Sequence, residues 1–340
     1  MKDIRYISND ELVLFLEKCG EKAFRAKQIR EWLWKKDIKS FDEMLNLSLS
    51  LRESLKSNFE FKTTLIEKEE KSIDRTVKFV FKLFDGNKIE GVLIPSDKRV
   101  TACISSQVGC PLGCRFCATG SMGFNRHLHF SEIIDQYSLM NKKALEYYSH
   151  DISNIVYMGM GEPLINYDNV KKSIDILTSS EGKGLSPARI TLSTVGIVQG
   201  IRRLADEGFK CGLAISLHSA DEEKRKKIMP VTTSNTLLEL QDALRYYVEK
   251  TKSRITIEYL LLDKINDSQN DAMKLAQFCR AFPVKINIIE YNTTDSEFVG
   301  SNPEKKEIFV NYLESKNLIV NIRHSRGQDI SAACGQLLRK

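Results

Sequence analysis

The sequence predicts an α/β protein built on a partial barrel, and two patterns lead to this prediction. From about residue 100 onward, short apolar segments with strand character alternate with longer segments of helical periodicity. Strands that alternate with helices are typical of β/α units around a parallel sheet. About six such units are present, fewer than the eight of a closed barrel. We therefore expect an open or partial (β/α)6 barrel.

The predicted strands of this core are apolar runs bounded by turn residues. They cover Val100–Ser105, Ile152–Met158, Arg189–Thr194, Gly212–Leu217, Arg254–Leu262, Val284–Tyr291 and Leu318–Arg323. The segments with helical periodicity lie between them. They cover Ser131–Tyr147, Asn169–Thr178, Val198–Asp206, Thr236–Lys250, Gln269–Phe282 and Glu304–Ser315.

The N-terminal residues predict a small helical domain. Asp10 is the predicted N-cap of a first helix, Phe24–Lys35 is a second, and a third runs from near Ser40 through Leu51. Several cations on these helices form either an RNA-contacting face or an ordinary solvated face, and the sequence favours neither. They are Arg25, Lys27, Arg30, Lys35 and Lys36.

A β-hairpin is predicted between the helical segment and the core. Thr76–Phe84 and Lys88–Pro95 have strand character, and Asp85-Gly-Asn87 between them forms the turn. The sequence accordingly predicts a helical accessory domain over 1–58, a hairpin linker over 59–98 and a core over 99–340.

Composition narrows the class of protein but not its function. The 340 residues include 42% hydrophobic and 28% charged residues, typical of a folded globular chain. The 51 Lys and Arg against 45 Asp and Glu give a net charge of +6, which permits a nucleic-acid partner without requiring one. No apolar run is long enough to span a bilayer, and acidic residues occupy the N-terminal stretch where a secretory signal is apolar. We therefore expect a cytoplasmic protein without a membrane partner.

Three of the eight cysteines form the most informative motif. Cys110, Cys114 and Cys117 follow the first core strand with the spacing C-x3-C-x2-C. Thiolates are soft ligands that suit zinc and iron–sulfur centres, and Gly109 and Gly113 let the loop turn tightly. Zinc would need a fourth ligand, for which His127 and His129 are minor candidates; they are two residues apart in the chain.

The motif, with Phe116 before its last cysteine, resembles the signature of radical S-adenosylmethionine (SAM) enzymes. Further segments resemble the RlmN/Cfr radical SAM methyltransferases along nearly the whole chain. They are Cys103–Cys110, Gly159–Asn166 and the C-terminal Ala-Ala-Cys334-Gly-Gln-Leu. The segment Met158–Pro163 lacks the third glycine of a dinucleotide-binding loop, which excludes a Rossmann site.

The resemblance implies a cofactor set and its ligands. Cys110, Cys114 and Cys117 would bind one 4Fe–4S cluster, whose remaining iron binds SAM. Each predicted SAM-binding segment ends a core strand, where a parallel barrel places its site. The residues are Gly161, Glu162, Ser193, Ser216, Leu217, His218 and Asn292. Glu290-Tyr291 precedes Asn292 where some relatives have Pro-Trp, which makes this SAM contact the weakest of the set.

The resemblance also implies three catalytic residues. Cys334 would carry the methyl group as S-methylcysteine, and Cys103 would resolve the RNA–protein adduct through a transient disulfide with Cys334. Glu90 would accept a proton. The alternative for Cys103 is a core residue on its strand, and Cys19, Cys211 and Cys279 are predicted to be small buried residues.

The implied function is methylation of C2 of adenine in 23S rRNA (nucleotide 2503) and in tRNA (nucleotide 37), using two SAM per turnover. Pro163-Leu164 and Arg326-Gly327 favour this subfamily over the Cfr-like enzymes that methylate C8. A zinc-bound RNA-binding module without catalysis is the alternative from another class.

The implied partners are 23S rRNA, tRNA and a reductant such as flavodoxin or ferredoxin, and the expected state is a monomer. The run Lys224–Lys227 contacts phosphate or lies on a solvated helix.

Overall fold

A ten-stranded sheet organises the computed structural model, which describes residues 1–97, 99–294 and 296–338. The strands are β1 (Lys2–Asp3), β2 (Phe59–Glu60), β3 (Leu65–Lys71), β4 (Val77–Lys82), β5 (Lys88–Ser96), β6 (Arg99–Cys103), β7 (Gln107–Gly109), β8 (Phe124–His127), β9 (Asn154–Tyr157), β10 (Ile190–Thr194), β11 (Gly212–Ser216), β12 (Ile255–Leu261), β13 (Val284–Glu290) and β14 (Ile319–Arg323). The helices are α1 (Asn9–Lys18), α2 (Phe24–Trp34), α3 (Leu49–Asn58), α4 (Ala118–Ser121), α5 (Phe130–Tyr148), α6 (Tyr167–Thr178), α7 (Val198–Asp206), α8 (Glu222–Ile228), α9 (Leu237–Thr251), α10 (Gln269–Cys279) and α11 (Pro303–Glu314).

The predicted β/α alternation is confirmed. The sheet runs β14-β13-β12-β11-β10-β9-β6-β5-β4-β3, and every pair from β6 to β14 is parallel. Within the described residues, β6 and β14 do not pair, so the barrel is partial as predicted. Each predicted core strand lies within two residues of the observed one.

The parallel register brings the carboxyl ends of the core strands to one edge. Ser216 at the end of β11 is opposite Glu258 of β12, and Ile289 of β13 is opposite Arg323 at the end of β14. The strands themselves are apolar, and β12 is buried along its whole length. Polar side chains at this edge therefore share one opening of the barrel.

The segment predicted as a hairpin linker extends the core sheet. The predicted hairpin corresponds to β4 and β5, but β3 precedes it, and β5 pairs antiparallel with β6. The polar β3 lacks a hydrophobic pattern; cross-strand pairing with β4 and ion pairs such as Lys78–Glu70 stabilise it instead. The predicted boundary at residue 98 lies outside the described residues, and the domain bounds stay a prediction.

Two helix starts in the N-terminal segment differ from the prediction. Ser8 caps α1 in a capping box with Glu11, so the predicted N-cap Asp10 lies inside the helix. The predicted third helix is divided: residues 41–43 form a 3₁₀ turn, and Ser48 caps α3. Local hydroxyl caps therefore decide both boundaries.

The N-terminal helices pack on the barrel. Nη1 of the buried Arg5 guanidinium donates to both carboxylate oxygens of Asp135 of α5, each at 2.9 Å. Apolar residues of α1 to α3 belong to the same buried cluster as the barrel. Of the surface cations, Arg25 pairs with Glu21, whereas Arg30 lines a cavity between α2 and α6.

The predictions for the three scattered cysteines have mixed outcomes. Cys211 and Cys279 are buried as predicted, but the prediction for Cys19 was wrong, because it caps the C-terminus of α1 and is exposed. Among the described helices, none combines the length and the apolarity that crossing a membrane requires.

Candidate active site

The loop with the three clustered cysteines is built on β7 and a following tight turn. Gly109 ends β7 at φ +76°, and a Cβ there would lie 2.0 Å from the carbonyl oxygen of Gly123. The Cys110 amide donates to that same oxygen at 2.9 Å. A residue with a side chain cannot replace Gly109 without moving the loop. Glycine at this position therefore fixes where the cysteine loop leaves β7.

The three thiols are largely shielded from solvent, and their charges interact with one another. Cys114 is buried, while Cys110 and Cys117 are half-buried. Burial raises the pKa of each thiol, and the charge of Cys117 raises the pKa of both Cys110 and Cys114 further. Three buried thiolates together therefore require a cationic centre to be stable.

The donor set, three thiols on one short loop, suits an iron–sulfur cluster. Nowhere in 1–97, 99–294 and 296–338 do three His, Cys, Asp or Glu side chains converge to hold an ion. In a 4Fe–4S cluster each thiolate binds a different iron, so the ligands stand further apart than around a single ion. The minor zinc candidates have other contacts: His129 caps α5, and His127 bonds to Gln107. The three cysteines fit the predicted cluster and leave one iron for another ligand.

A first cavity, which we call the cofactor cavity, opens beside Cys117 and has a volume of about 800 Å³ including its open mouth. Most of the predicted SAM-binding residues line it. They are Gly161, Glu162, Ser193, Ser216 and His218. Phe116 and Cys117 of the thiol loop also line this cavity. The fold thus brings these residues from three strand ends, those of β9, β10 and β11, next to the thiol loop.

Glu162 is held rigidly at the wall of the cofactor cavity. Its carboxylate accepts the amides of Leu164 and Val195, both at 2.9 Å. Burial outweighs these bonds and raises the pKa of Glu162 to about 7. The preceding Gly161 has φ +99°, and a Cβ there would lie 2.5 Å from the side chain of Gln107. A buried carboxylate aimed at a cavity is suited to bind an ammonium group.

Ser193 and Ser216 place two hydroxyls side by side on neighbouring strands, 3.4 Å apart. His218, just beyond β11, has φ +54° and is buried. Its Nδ1 accepts the amide of Leu260 at 3.1 Å, and burial lowers its pKa to about 3. The imidazole is therefore neutral and offers its other nitrogen and its ring face to a ligand.

Two predicted SAM residues lie elsewhere. Leu217 is fully buried in the core, and its carbonyl accepts the Nε proton of Arg225 at 3.1 Å. Asn292 donates its amide to the Cys334 carbonyl at 3.2 Å and accepts from Gln328 at 2.9 Å. Neither is among the residues that line the cofactor cavity.

A second cavity, the carrier cavity, has a volume of about 900 Å³ including its open part. Cys103 and Cys334 both line it, together with the cations Arg323 and Arg326. Cys334 also lines the cofactor cavity and therefore belongs to both walls. All eight cysteines are free thiols in this structure, so a Cys103–Cys334 disulfide is not formed.

Cys334 and Cys103 differ in access. Cys334 is exposed to the cavities, whereas Cys103 on β6 is 8% exposed. Surrounding protein raises the pKa of both thiols, to about 12 for Cys103, and the Arg323 guanidinium opposes this for each. Cys334 is therefore the more accessible thiol, and Arg323 is the cation that favours its thiolate.

The C-terminal loop is tied to the thiol loop and to Glu90. Ala118 donates its amide to the Gly335 carbonyl at 2.7 Å, which joins the two loops. Glu90 on β5 is buried; its carboxylate accepts the Leu338 amide at 2.7 Å and lies 3.7 Å from Lys78. Glu90 is not among the residues that line either cavity.

Sequence reasoning missed several residues of the site. Arg323 ends β14, and its guanidinium lies 3.3 Å from the buried Glu258 of β12. Gln107 accepts the Glu162 amide at 2.8 Å. Glu258 could have been identified from the sequence, because it is a charged residue within the otherwise apolar strand Ile255–Leu261. Arg225, within the basic run, neither touches solvent nor lies on a solvated face, because it is fully buried.

Comparison with known proteins gives matches over the whole chain. Residues 104–276 match the model of the radical SAM superfamily. Residues 3–61 match the model described as ribosomal RNA large subunit methyltransferase N-terminal domain.

Individual relatives agree with these models. A protein of Cytophaga hutchinsonii named "Probable dual-specificity RNA methyltransferase RlmN" is 50% identical over 340 residues, covering 100% of this chain and 93% of the relative. A protein of the same name from Flavobacterium psychrophilum is 48% identical and is covered over 98% of its length. The crystal structure of a radical SAM methyltransferase from Sphaerobacter thermophilus matches with a TM-score of 0.92 and 36% identity over 100% of both chains.

Proposed function

The chain belongs to the RlmN family of radical SAM methyltransferases, and from this membership we propose that it methylates C2 of adenine in 23S rRNA and in tRNA, at the nucleotides that the sequence resemblance implies. One observation supports the proposal above all: Cys334 lies in the wall between the cofactor cavity and the carrier cavity. A thiol in this position can receive a group from one cavity and deliver it in the other.

The residues of the cofactor cavity hold the reactants. The family uses a 4Fe–4S cluster and SAM; when bound, they supply a methyl group and, through one-electron cleavage of SAM, a hydrogen-abstracting radical. Cys110, Cys114 and Cys117 would hold the cluster. Glu162 would accept hydrogen bonds from the SAM amino group, because its buried carboxylate already faces the cavity.

The remaining predicted SAM residues have unequal support. Gly161, which has no side chain, would allow SAM to approach the backbone closely. The Ser193 and Ser216 hydroxyls and the neutral His218 ring offer polar contacts. Leu217 can contribute only through its backbone, since its side chain is in the core. We assign Asn292 to the Cys334 loop, where its amide is engaged.

Cys334 is the nucleophile of the first transfer. Its thiolate attacks the SAM methyl group in an ordinary displacement, which needs access and a nearby cation, and the site offers both. Adenine C2 is electron-poor and is no nucleophile for a second displacement, so the methyl carbon must reach it by a radical route. Arg323 and Arg326 give the carrier cavity the positive charge that an RNA phosphate requires.

Cys103 is the proposed resolving thiol. It lines the carrier cavity with Cys334, so its thiolate can attack the Cys334 sulfur of the adduct and form the S–S bond. The carbon–sulfur bond breaks in the same step, and the released methylene carbon keeps the bonding electrons and takes up a proton to become the methyl group. A thiol reductant must then reduce this transient disulfide. Glu90 is the proposed proton acceptor; because it is buried and lines neither cavity, the Leu338 end of the C-terminal loop must move to give the substrate access to its carboxylate.

The proposal also covers the setting of the reaction. We place the enzyme in the cytoplasm as a monomer that receives its electron from a flavodoxin or ferredoxin. The target adenine must leave its stack to enter a cavity of this size.

The test is to map the methyl group. Anaerobically reconstituted enzyme is incubated with SAM, a reductant and fragments of 23S rRNA or tRNA, and product nucleosides are identified by mass spectrometry against standards. Methyl at C2, absent with Cys334→Ala, is the expected result. Methyl at C8 would assign the Cfr-like reaction instead. A protein with one zinc and no SAM cleavage would be a binding module.

A further inference from the structure

Arg225 of α8 is a fully buried cation without a carboxylate partner. Its guanidinium donates to the Leu217 carbonyl at 3.1 Å, the Thr232 hydroxyl at 2.8 Å and the Val195 carbonyl at 2.5 Å. All three acceptors are neutral, and no Asp or Glu oxygen of the described chain lies within ion-pair distance of it. Burying a charge costs several kcal/mol unless an opposite charge offsets it.

The surroundings of Arg225 show where that opposite charge belongs. α8 packs under the thiol loop: Ile228 of α8 and Met229 share a buried cluster with Cys114, and the Arg115 amide donates to the Ile228 carbonyl at 3.0 Å. Glu222, one helical turn before Arg225, is the nearest carboxylate in the described chain: its Oε2 accepts the Leu237 amide at 2.8 Å, and its Oε1 is buried without a hydrogen-bond partner. Glu222 forms no ion pair with Arg225 and therefore offsets its charge only in part.

The two strand ends that Arg225 joins also belong to the cofactor site. Val195 follows β10, and its amide bonds to Glu162, while Leu217 lies between Ser216 and His218. The guanidinium is thus fixed behind the strand ends, on the side of the thiol loop. It cannot turn away toward solvent because it is fully buried.

We propose that Arg225 is the internal counter-charge of the iron–sulfur cluster bound by Cys110, Cys114 and Cys117 and that it raises the reduction potential of that cluster. Reduction adds one electron, and therefore one negative charge, to a centre that already carries three thiolates. A fixed cation stabilises the reduced form more than the oxidised form, and net charge near a cluster is one of the factors that set its potential. This inference rests on the cluster and not on the RNA substrate.

The test compares Arg225→Gln with Arg225→Lys. Both variants lose the guanidinium group, but only the glutamine variant loses the positive charge. Each protein is reconstituted without SAM or RNA, its iron and sulfide are counted, and its cluster is titrated with reductant under EPR detection. For two unit charges some 10 Å apart at an effective dielectric constant of about 20, the interaction changes the reduction equilibrium on the order of tenfold.

The glutamine variant should therefore show a ratio of reduced to oxidised cluster about tenfold smaller at a given potential, which is a shift of about 59 mV to lower potential for a one-electron couple. The lysine variant should stay near wild type. Thr232→Val removes one bond to Arg225, keeps the charge and should leave the potential unchanged.

Each other outcome has a fixed meaning. Equal shifts in the glutamine and lysine variants, or no shift in the glutamine variant, would overturn the proposal. If only the glutamine variant fails to retain iron, the charge is required for binding the cluster and not for setting its potential, and the proposal as stated is wrong. If neither variant retains iron, Arg225 only positions the loop and the proposal is wrong. None of these results alters the proposed RNA methylation, which the nucleoside assay tests separately.

Discussion

Asn292 donates its side-chain amide to the backbone carbonyl of Cys334 at 3.2 Å, and so links the end of β13 to the C-terminal loop. Asn292 is buried, and its oxygen accepts the Gln328 amide at 2.9 Å. Both polar atoms of Asn292 are therefore used within the chain. The geometry makes it a positioning residue for the Cys334 thiol.

We expect Asn292→Ala to slow methyl transfer to Cys334 by up to about tenfold, since one hydrogen bond contributes about 1 kcal/mol. The affinity for SAM should change less than twofold. The measurements are single-turnover loading of labelled methyl onto the protein and SAM binding by calorimetry. Gln328→Ala, which removes only the partner of Asn292, should act in the same direction. A large loss of SAM affinity with normal loading would restore the role implied by the sequence resemblance.

Glu162 should make the cluster-free protein less stable as pH rises from about 4.5 to about 7. Its pKa in the folded protein is about 7, above the ordinary value of 4.5, so the folded state holds a proton that the unfolded state has lost. This stabilisation is complete below pH 4.5 and disappears as pH passes 7. The Glu162→Gln variant lacks the dependence.

The measurement is the difference in the free energy of unfolding between wild type and Glu162→Gln at pH 5 and pH 8. We expect it to change by a few kcal/mol. The comparison with the variant is essential because His218 and His129 have lowered pKa values, and their contribution below pH 6.5 has the opposite sign. A pH-independent difference between the two proteins would show that Glu162 is ionised in the folded state throughout.

Gly161→Ala should destabilise the protein by more than 2 kcal/mol and abolish SAM binding. The residue has φ +99°, and the new Cβ would lie 2.5 Å from the Gln107 side chain, which accepts the Glu162 amide. Gly86→Ala is the matched control, with φ +83° and nothing within 4 Å. In urea unfolding, the control should lose only about 1–2 kcal/mol of stability, which is the cost of placing an alanine in a left-handed backbone conformation. It should bind SAM normally. Equal losses in the two variants would mean that backbone strain alone matters at Gly161.

The sequence predicts the core strands well because these strands are buried on both faces. Each one therefore appears in the sequence as a nearly continuous apolar run. It predicts side-chain direction less well. Ser216 and Leu217 are neighbours in an extended segment, and neighbours of this kind point to opposite faces, so only Ser216 reaches the cofactor cavity. A simple alternation rule would have separated them.

Other features depend on contacts between distant parts of the chain. The Glu90 carboxylate is bound by Leu338, 248 residues away, and no local pattern signals that contact. Arg225 has three charged neighbours in the chain at 224, 226 and 227, and composition favours an exposed face for all four. Lys224 pairs with the buried Asp271 and Lys226 with the exposed Glu223. Arg225 turns inward because two backbone carbonyl oxygens and one hydroxyl oxygen accept its protons.

Arg323 should set the reactivity of Cys334. Its guanidinium lowers the pKa of the Cys334 thiol, and the Glu258 carboxylate raises it. Arg323→Gln should therefore slow alkylation of Cys334 by iodoacetamide at pH 7.5, and Glu258→Gln should accelerate it, because the thiolate is the reacting form. Arg323→Lys keeps the charge and should react at nearly the wild-type rate. Peptide mass spectrometry follows each site, with the exposed Cys19 as the internal reference for reagent activity. Equal Cys334 rates in wild type and Arg323→Gln would show that access alone, and not the neighbouring charge, governs the thiol.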